Sequence, residues 1–150
     1  MILADTAILV RMANLEDPLH SAAVEALDRL VAHGRIVVIA PQNIMEFWAV
    51  ATRPREARGG LGLSPQVAKT EVARFTSSFR LLPETPPVFA EWLRLADQCD
   101  VSGKQVHDAH LAAWMRIHAV AQVLTFNDDD FRRYPGITPV HPHEVIAGEL

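Results

Sequence analysis

Four acidic positions, far apart in the chain, carry the chemistry that this sequence can support. Asp5 interrupts an otherwise apolar start, Met1-Ile2-Leu3-Ala4-Asp5-Thr6-Ala7-Ile8-Leu9-Val10. Glu46 comes shortly after the apolar run 36–40, and Asp108 shares a helical face with Leu111, Ala112 and Met115. The run Asn127-Asp128-Asp129-Asp130 follows Gln122-Val123-Leu124-Thr125. An ionised carboxylate in an apolar segment is costly to bury unless a cation or several hydrogen bonds compensate it. Carboxylates that converge on one place repel one another and raise each other's pKa values. A divalent cation resolves this, and an all-oxygen donor set selects Mg2+ or Mn2+ over zinc. Zinc is poorly served in any case: Cys99 is the only cysteine, and His107 with His110 is an isolated pair. A Mg2+ site in an α/β domain most often handles phosphates, by polarising the scissile group and ionising a water.

Each position also has a purely structural reading. Asp5 has the residue type and place of a helix N-cap. Glu46 falls on a flank with Gln42 and Arg53 that reads as solvated. Asn127 and Asp130 have capping-box-like spacing. Asp108 is harder to explain this way, because it points inward and a helix N-terminus supplies only about 0.3–1 kcal/mol.

The elements that must position these residues alternate in type. Residues 1–5, 36–40 and 122–125 read as short buried strands, 80–82 as a weak one, and 137–140 as an edge strand that tolerates Pro139. Helices are expected over 7–13, 18–33 with Pro18 in the first turn, 41–53, 64–75, 88–99, 106–118, 127–134 and from Pro142. Ile44, Phe47, Trp48 and Ala51 form the expected core stripe of the third helix, and all three tryptophans are expected to be core residues. Gly59, Gly60 and Gly62 mark 54–64 as a mobile loop. Alternating strands and helices imply an α/β fold with a central, mostly parallel sheet and helices on both faces. In such sheets function gathers at the carboxyl ends of the strands. Three of the four acidic positions map there directly, and Asp108 joins them if its helix starts at that edge.

One hundred and fifty residues are the length of one domain, 1–150. The lone cysteine and the lack of a basic segment before the first apolar run point to a cytoplasmic protein. The net charge of −4 argues against a generally basic nucleic-acid binder, yet it is uneven. Residues 47–83 hold six basic side chains against Glu56 and Glu71, leaving −8 for the remainder. A basic lobe beside an acidic remainder suits a polyanion held near a metal-binding centre, or simply a solvated surface.

Ile2-Leu3-Ala4-Asp5-Thr6, Asn43-Ile44-Met45-Glu46-Phe47-Trp48 running into Ala51-Thr52-Arg53-Pro54, Gly103-Lys104-Gln105-Val106-His107-Asp108-Ala109, and Leu124-Thr125-Phe126-Asn127 with Asp130-Phe131 together resemble the PIN-domain family. In particular they resemble the VapC-type toxin ribonucleases of bacterial toxin–antitoxin pairs. The likeness spans essentially the whole chain, in order. It implies a three-layer α/β/α sandwich, Mg2+- or Mn2+-dependent endonucleolytic cleavage of RNA, a cognate antitoxin and a homodimer. Carried over by position, Asp5, Glu46 and Asp108 match three acidic metal ligands, and the fourth is either Asn127 or Asp130. Thr6 and Thr125 would be supporting hydroxyls. Arg53, Arg55 and Arg58 would meet the phosphate backbone, and the Gly59–Gly62 loop would admit single-stranded RNA. Two other readings compete. One is a catalytically silent module that binds RNA or protein. The other is a Mg2+-dependent phosphatase of haloacid-dehalogenase type with Asp5 as nucleophile, which wants a second Asp where this chain has Ala7.

Overall fold

Short aliphatic runs with no polar face pair here as strands buried on both sides. In the computed structural model, which describes residues 1–149, β1 (Ile2–Ala4), β2 (Val37–Ile39), β3 (Arg80–Leu81), β4 (Gln122–Leu124) and β5 (Thr138–Val140) form one parallel sheet. The spatial order is β3-β2-β1-β4-β5, so β1 is central and the chain reverses its direction of travel across the sheet between β1 and β4. Pro139 sits on the edge strand β5, opposite Val123, where its missing N–H costs no ladder bond on the outer side.

Parallel strands require crossovers, and helices supply them. α1 (Thr6–Ala13) and α2 (His20–Ala32) join β1 to β2; α3 (Pro41–Thr52) and α4 (Pro65–Ser78) join β2 to β3. α5 (Pro87–Gln98) and α6 (Gln105–Ile117) join β3 to β4, α7 (Asp128–Arg132) joins β4 to β5, and α8 (Pro142–Ala147) follows. Alternation along the strands splits the core in two. Ile2, Ala4, Val37 and Ile39 face a cluster with Leu9, Leu27, Phe47 and Phe75, covered by α1 to α4 and α8. Leu3, Val38 and Ala40 face the other, with Leu95, Trp114 and Phe131 from α5 to α7. The result is the α/β/α sandwich.

The helix ends follow their local chemistry. Ser64 Oγ accepts the Val67 N–H at 3.2 Å, with Pro65 preset for the first turn of α4. Gly34, at φ +74°, ends α2. The start of α2 differs from expectation. Asp17 accepts the Leu19 N–H at 2.8 Å, and this side-chain turn holds 17–19 so that the helix begins at His20, beyond Pro18. Trp48 also differs. The buried face of α3 runs through Asn43, Phe47 and Ala51, which leaves Trp48, one position round the helix, 37% exposed. Trp114 is fully buried, with its indole N–H on the Pro83 carbonyl.

The 54–64 segment contains no helix or strand, as expected, but it is tied down. The N–H groups of Leu61, Gly62 and Leu63 donate to the carbonyls of Val50, Arg53 and Ala51 at 3.2, 2.8 and 2.8 Å. Gly60 is held against the start of this turn so closely that a Cβ there would lie 2.2 Å from the Pro54 carbonyl oxygen. Gly60→Ala should therefore destabilise the fold by about 1–3 kcal/mol, as overpacking does. Thermal unfolding checks this, and an unchanged melting temperature would show that the turn is free to open.

Candidate active site

The carboxyl ends of β1 and β4 lie side by side at the point where the strand order reverses, the place where open parallel sheets bind ligands. Asp5 leaves β1 there, its N–H still on the ladder to the Leu124 carbonyl at 3.1 Å. Its two oxygens have different tasks. Oδ1 accepts the Thr6 N–H at 2.7 Å and caps α1, while Oδ2 accepts the Thr125 hydroxyl at 2.9 Å across the two strand ends. The capping and functional readings of Asp5 are thus compatible. Thr125 is fully buried, and its Oγ1 also accepts the Asn127 N–H at 3.0 Å, which sets the turn into α7.

Glu46 is not the solvated flank residue that its helical position suggests. Its Oε2 accepts the Thr6 hydroxyl at 2.7 Å and its Oε1 accepts from Gln42 Nε2 at 2.7 Å. Thr6 Oγ1 in turn accepts from Asn43 Nδ2 at 3.2 Å, and Asn43 Oδ1 accepts the Ala40 N–H at 2.8 Å. Asn43 is fully buried. It caps the start of α3 and holds Thr6, which lies between Asp5 in sequence and Glu46 in space. Sequence reasoning put Gln42 on a solvated flank, whereas it is buried, and quoted Asn43 only within the family-like motif, with no role of its own. The signal was there: two amides in the first turn of a helix that leaves a buried strand, one of them four residues before Glu46.

Asp108 lies in the first turn of α6, half-buried. Among the described residues no group donates a hydrogen bond to its carboxylate. The turn that carries it is steadied by the Tyr134 hydroxyl, which donates to the Gln105 carbonyl at 3.2 Å. Asn127 occupies the cap position of α7, but its exposed side chain makes no capping bond, and Asp130 is exposed beside it. Asp128 turns inward, with Oδ2 on Arg132 at 3.2 Å and Oδ1 buried without a partner.

The electrostatics show which carboxylates share a field. Burial raises the Asp5 carboxyl to about 6 against the pull of the Thr125 and Thr6 hydrogen bonds, and the charges of Glu46 and Asp130 add to the rise. Asp108 rises to about 7, first through burial and then through Asp130, Asp5 and Glu46, with Arg133 opposing weakly. Among the described residues no Lys, Arg or His lies within 4.0 Å of the carboxylate oxygens of Asp5, Glu46, Asp108 or Asp130. These are all-oxygen donors with uncompensated charge, which fits a hard divalent cation. No three His, Cys, Asp or Glu side chains among the described residues stand close enough to close round one ion as they are. Mg2+ does not require that, since it keeps several waters and takes only one or two carboxylates directly.

Residues 2–137 match the PIN domain family. This chain belongs to the PIN-domain family. Over 135 residues it is 31% identical to Ribonuclease VapC48 of Mycobacterium tuberculosis, covering 89% of this chain and 91% of that protein. Two solved structures share the fold at lower identity. VapC20 of Mycobacterium tuberculosis, a Sarcin-Ricin loop cleaving toxin, matches with a TM-score of 0.65 at 20% identity, over 93% of this chain and 100% of that one. VapBC2 from Rickettsia felis, bound to a DNA fragment from its promoter, matches with a TM-score of 0.67 at 17% identity, over 94% and 98%. Among the described residues no helix is long and apolar enough to cross a membrane.

The basic residues separate on inspection. Arg58 lines a cavity of about 840 Å3 together with Lys104, Asn127, Asp130, Arg132 and His141, next to the acidic strand ends. Arg53 turns back to the Arg58 carbonyl at 3.0 Å, and Arg55 lies 3.5 Å from Glu16. Of the three, Arg58 is the one that lines this cavity.

Proposed function

We propose that this PIN-domain protein is a Mg2+- or Mn2+-dependent endoribonuclease and the toxin of a toxin–antitoxin pair. The observation that carries the chemistry is a set of four carboxylates that share one field beside the carboxyl ends of β1 and β4, with no Lys, Arg or His among the described residues within 4.0 Å of their oxygens. The family, and the likeness to a ribonuclease over most of the chain, support RNA as the polyanion.

A bound cation would polarise the scissile phosphate and acidify water. Asp5 and Asp108 would hold the principal ion, with Glu46 and Asp130 holding a second one or orienting the attacking water. The protein's own contribution is preorganisation. Thr125 and the Thr6 N–H lock both oxygens of Asp5, Thr6 and Gln42 lock both oxygens of Glu46, and Asp108 remains free to ligate. Arg58, Lys104 and Arg132 would position the phosphate backbone along the neighbouring cavity. The antitoxin partner is part of this reading, supported by the solved toxin–antitoxin complexes of the same fold; a homodimer belongs to it only as what the family resemblance implies. The phosphatase reading has no support, since Ala7 stands where its second Asp is needed.

Inducible expression with and without Asp5→Asn, followed by mapping of cellular RNA ends, tests the whole proposal. Growth arrest and new discrete ends are expected only with Asp5 intact. Equal arrest by the Asp5→Asn chain would instead favour the silent binding module.

A further inference from the structure

Gln42 is polar where little water reaches it, only 7% exposed, and its amide is fully used. Nε2 donates to Glu46 Oε1 at 2.7 Å and to the His107 carbonyl at 2.9 Å. With both amide hydrogens committed, Oε1 can only accept, and it accepts from His110 Nδ1, which must carry the proton of that ring nitrogen. His110 Nε2 lies 3.3 Å from Glu84 in the β3–α5 connection. A continuous polar chain therefore runs from Glu84 through His110 and Gln42 to Glu46, and on through Thr6 to Asn43. It crosses from α6 to α3, passes through α1 at Thr6 and returns to α3.

We propose that Gln42 is a positioning residue of the carboxylate cluster. It holds the Glu46 side chain in one orientation and, with the same amide, ties α3 to the first turn of α6 at the residue before Asp108. Two walls of the site, Glu46 and Asp108, are thereby held at a set separation. The inference rests on the reading of Glu46 and Asp108 as ligands given above. A glutamine suits this place because it offers two donors and one acceptor without charge. A glutamate would set an acceptor against the Glu46 carboxylate and the His107 carbonyl, and a lysine would neutralise Glu46.

The test compares wild type, Gln42→Met, Gln42→Glu, His110→Phe and Glu46→Gln in cleavage of a single-stranded RNA and in Mn2+ binding by calorimetry. Gln42→Met keeps the volume and removes every polar contact. It should lower kcat and weaken Mn2+ binding by about 10–100-fold, while KM for the RNA stays within about twofold. His110→Phe should lose less in the same direction. Combining it with Gln42→Met should add little, because both act through one amide. Should Gln42→Met fail to fold, Gln42→Glu and His110→Phe carry the same two readouts.

A purely structural tie between helices would lower the melting temperature and leave kcat and Mn2+ affinity at wild-type values. That result, with Glu46→Gln impaired, overturns this inference alone. A wild-type chain that neither binds Mn2+ nor cleaves RNA overturns the proposed function and this inference with it.

Discussion

Asp108→Asn should reduce metal-dependent RNA cleavage by about a thousandfold or more, the worth of several kcal/mol of charge stabilisation in the transition state. The same substitution should make the metal-free protein more stable. These opposite signs follow from the surroundings of Asp108. Among the described residues its carboxylate receives no hydrogen bond, and its pKa is pushed up to about 7 by burial and by three neighbouring carboxylates. An amide of the same shape loses no protein contact and removes the charge that the fold resists. Asp5→Asn should be as inactive but gain less stability, because the Asp5 carboxylate accepts from Thr125 and the Thr6 N–H, and an amide can satisfy only one of them as acceptor. The checks are single-turnover cleavage in Mg2+ and thermal unfolding in EDTA at pH 7.5. Loss of activity accompanied by loss of stability at Asp108 would mean that the residue supports the fold and is not held there against its electrostatics.

That pairing of cost and use is what made much of the site legible from residues alone. Asp5 stood out because a charge in an apolar strand needs a reason, and Asp108 because its helical face is otherwise core. Three strands and the crossover helices were equally open to reading, since short all-aliphatic runs with helices between them leave few arrangements other than a parallel sheet. Glu46 was less legible. A carboxylate on an amphipathic helix looks solvated until its partners are known, and those partners, Thr6 and Gln42, lie on a different helix and one turn back. Asn43 was invisible as a functional residue for a related reason. Its importance lies in linking the Ala40 N–H to the Thr6 hydroxyl, a contact made across 37 residues. Trp48 was misplaced because a helix face is about 100° wide, and an aromatic at its border can fall on either side. The turn at Asp17 displaced the start of α2 because a side-chain hydrogen bond outweighed the preference of Pro18 for a first helical turn.

The stability of the metal-free protein should fall as the pH rises from about 4 to 8, the reverse of ordinary acid denaturation. The direction comes from linkage. Asp5 and Asp108 have ordinary values of 3.8 and folded values of about 6 and about 7. Between those limits the folded protein binds more protons than the unfolded chain. Stability from this source is complete below 3.8 and is lost as the pH passes through the folded values. A rise of two units corresponds to about 3 kcal/mol. The two rises are not additive, because part of each is caused by the other's charge, and water reaches both residues, so a few kcal/mol for the pair is the expected scale. For a chain of this length that is a melting temperature lower by about 5–10 °C at pH 7.5 than at pH 5 in EDTA. Mg2+ should recover most of the difference at pH 7.5 and little at pH 5, where protons already occupy the carboxylates. Asp108→Asn should flatten the profile, which assigns the effect to this cluster. A wild-type profile that rises with pH in EDTA, or an Asp108→Asn profile as steep as wild type, would show that the cluster is not strained without its cation. The sequence hint, a lone aspartate in an apolar strand, would then reflect helix capping alone.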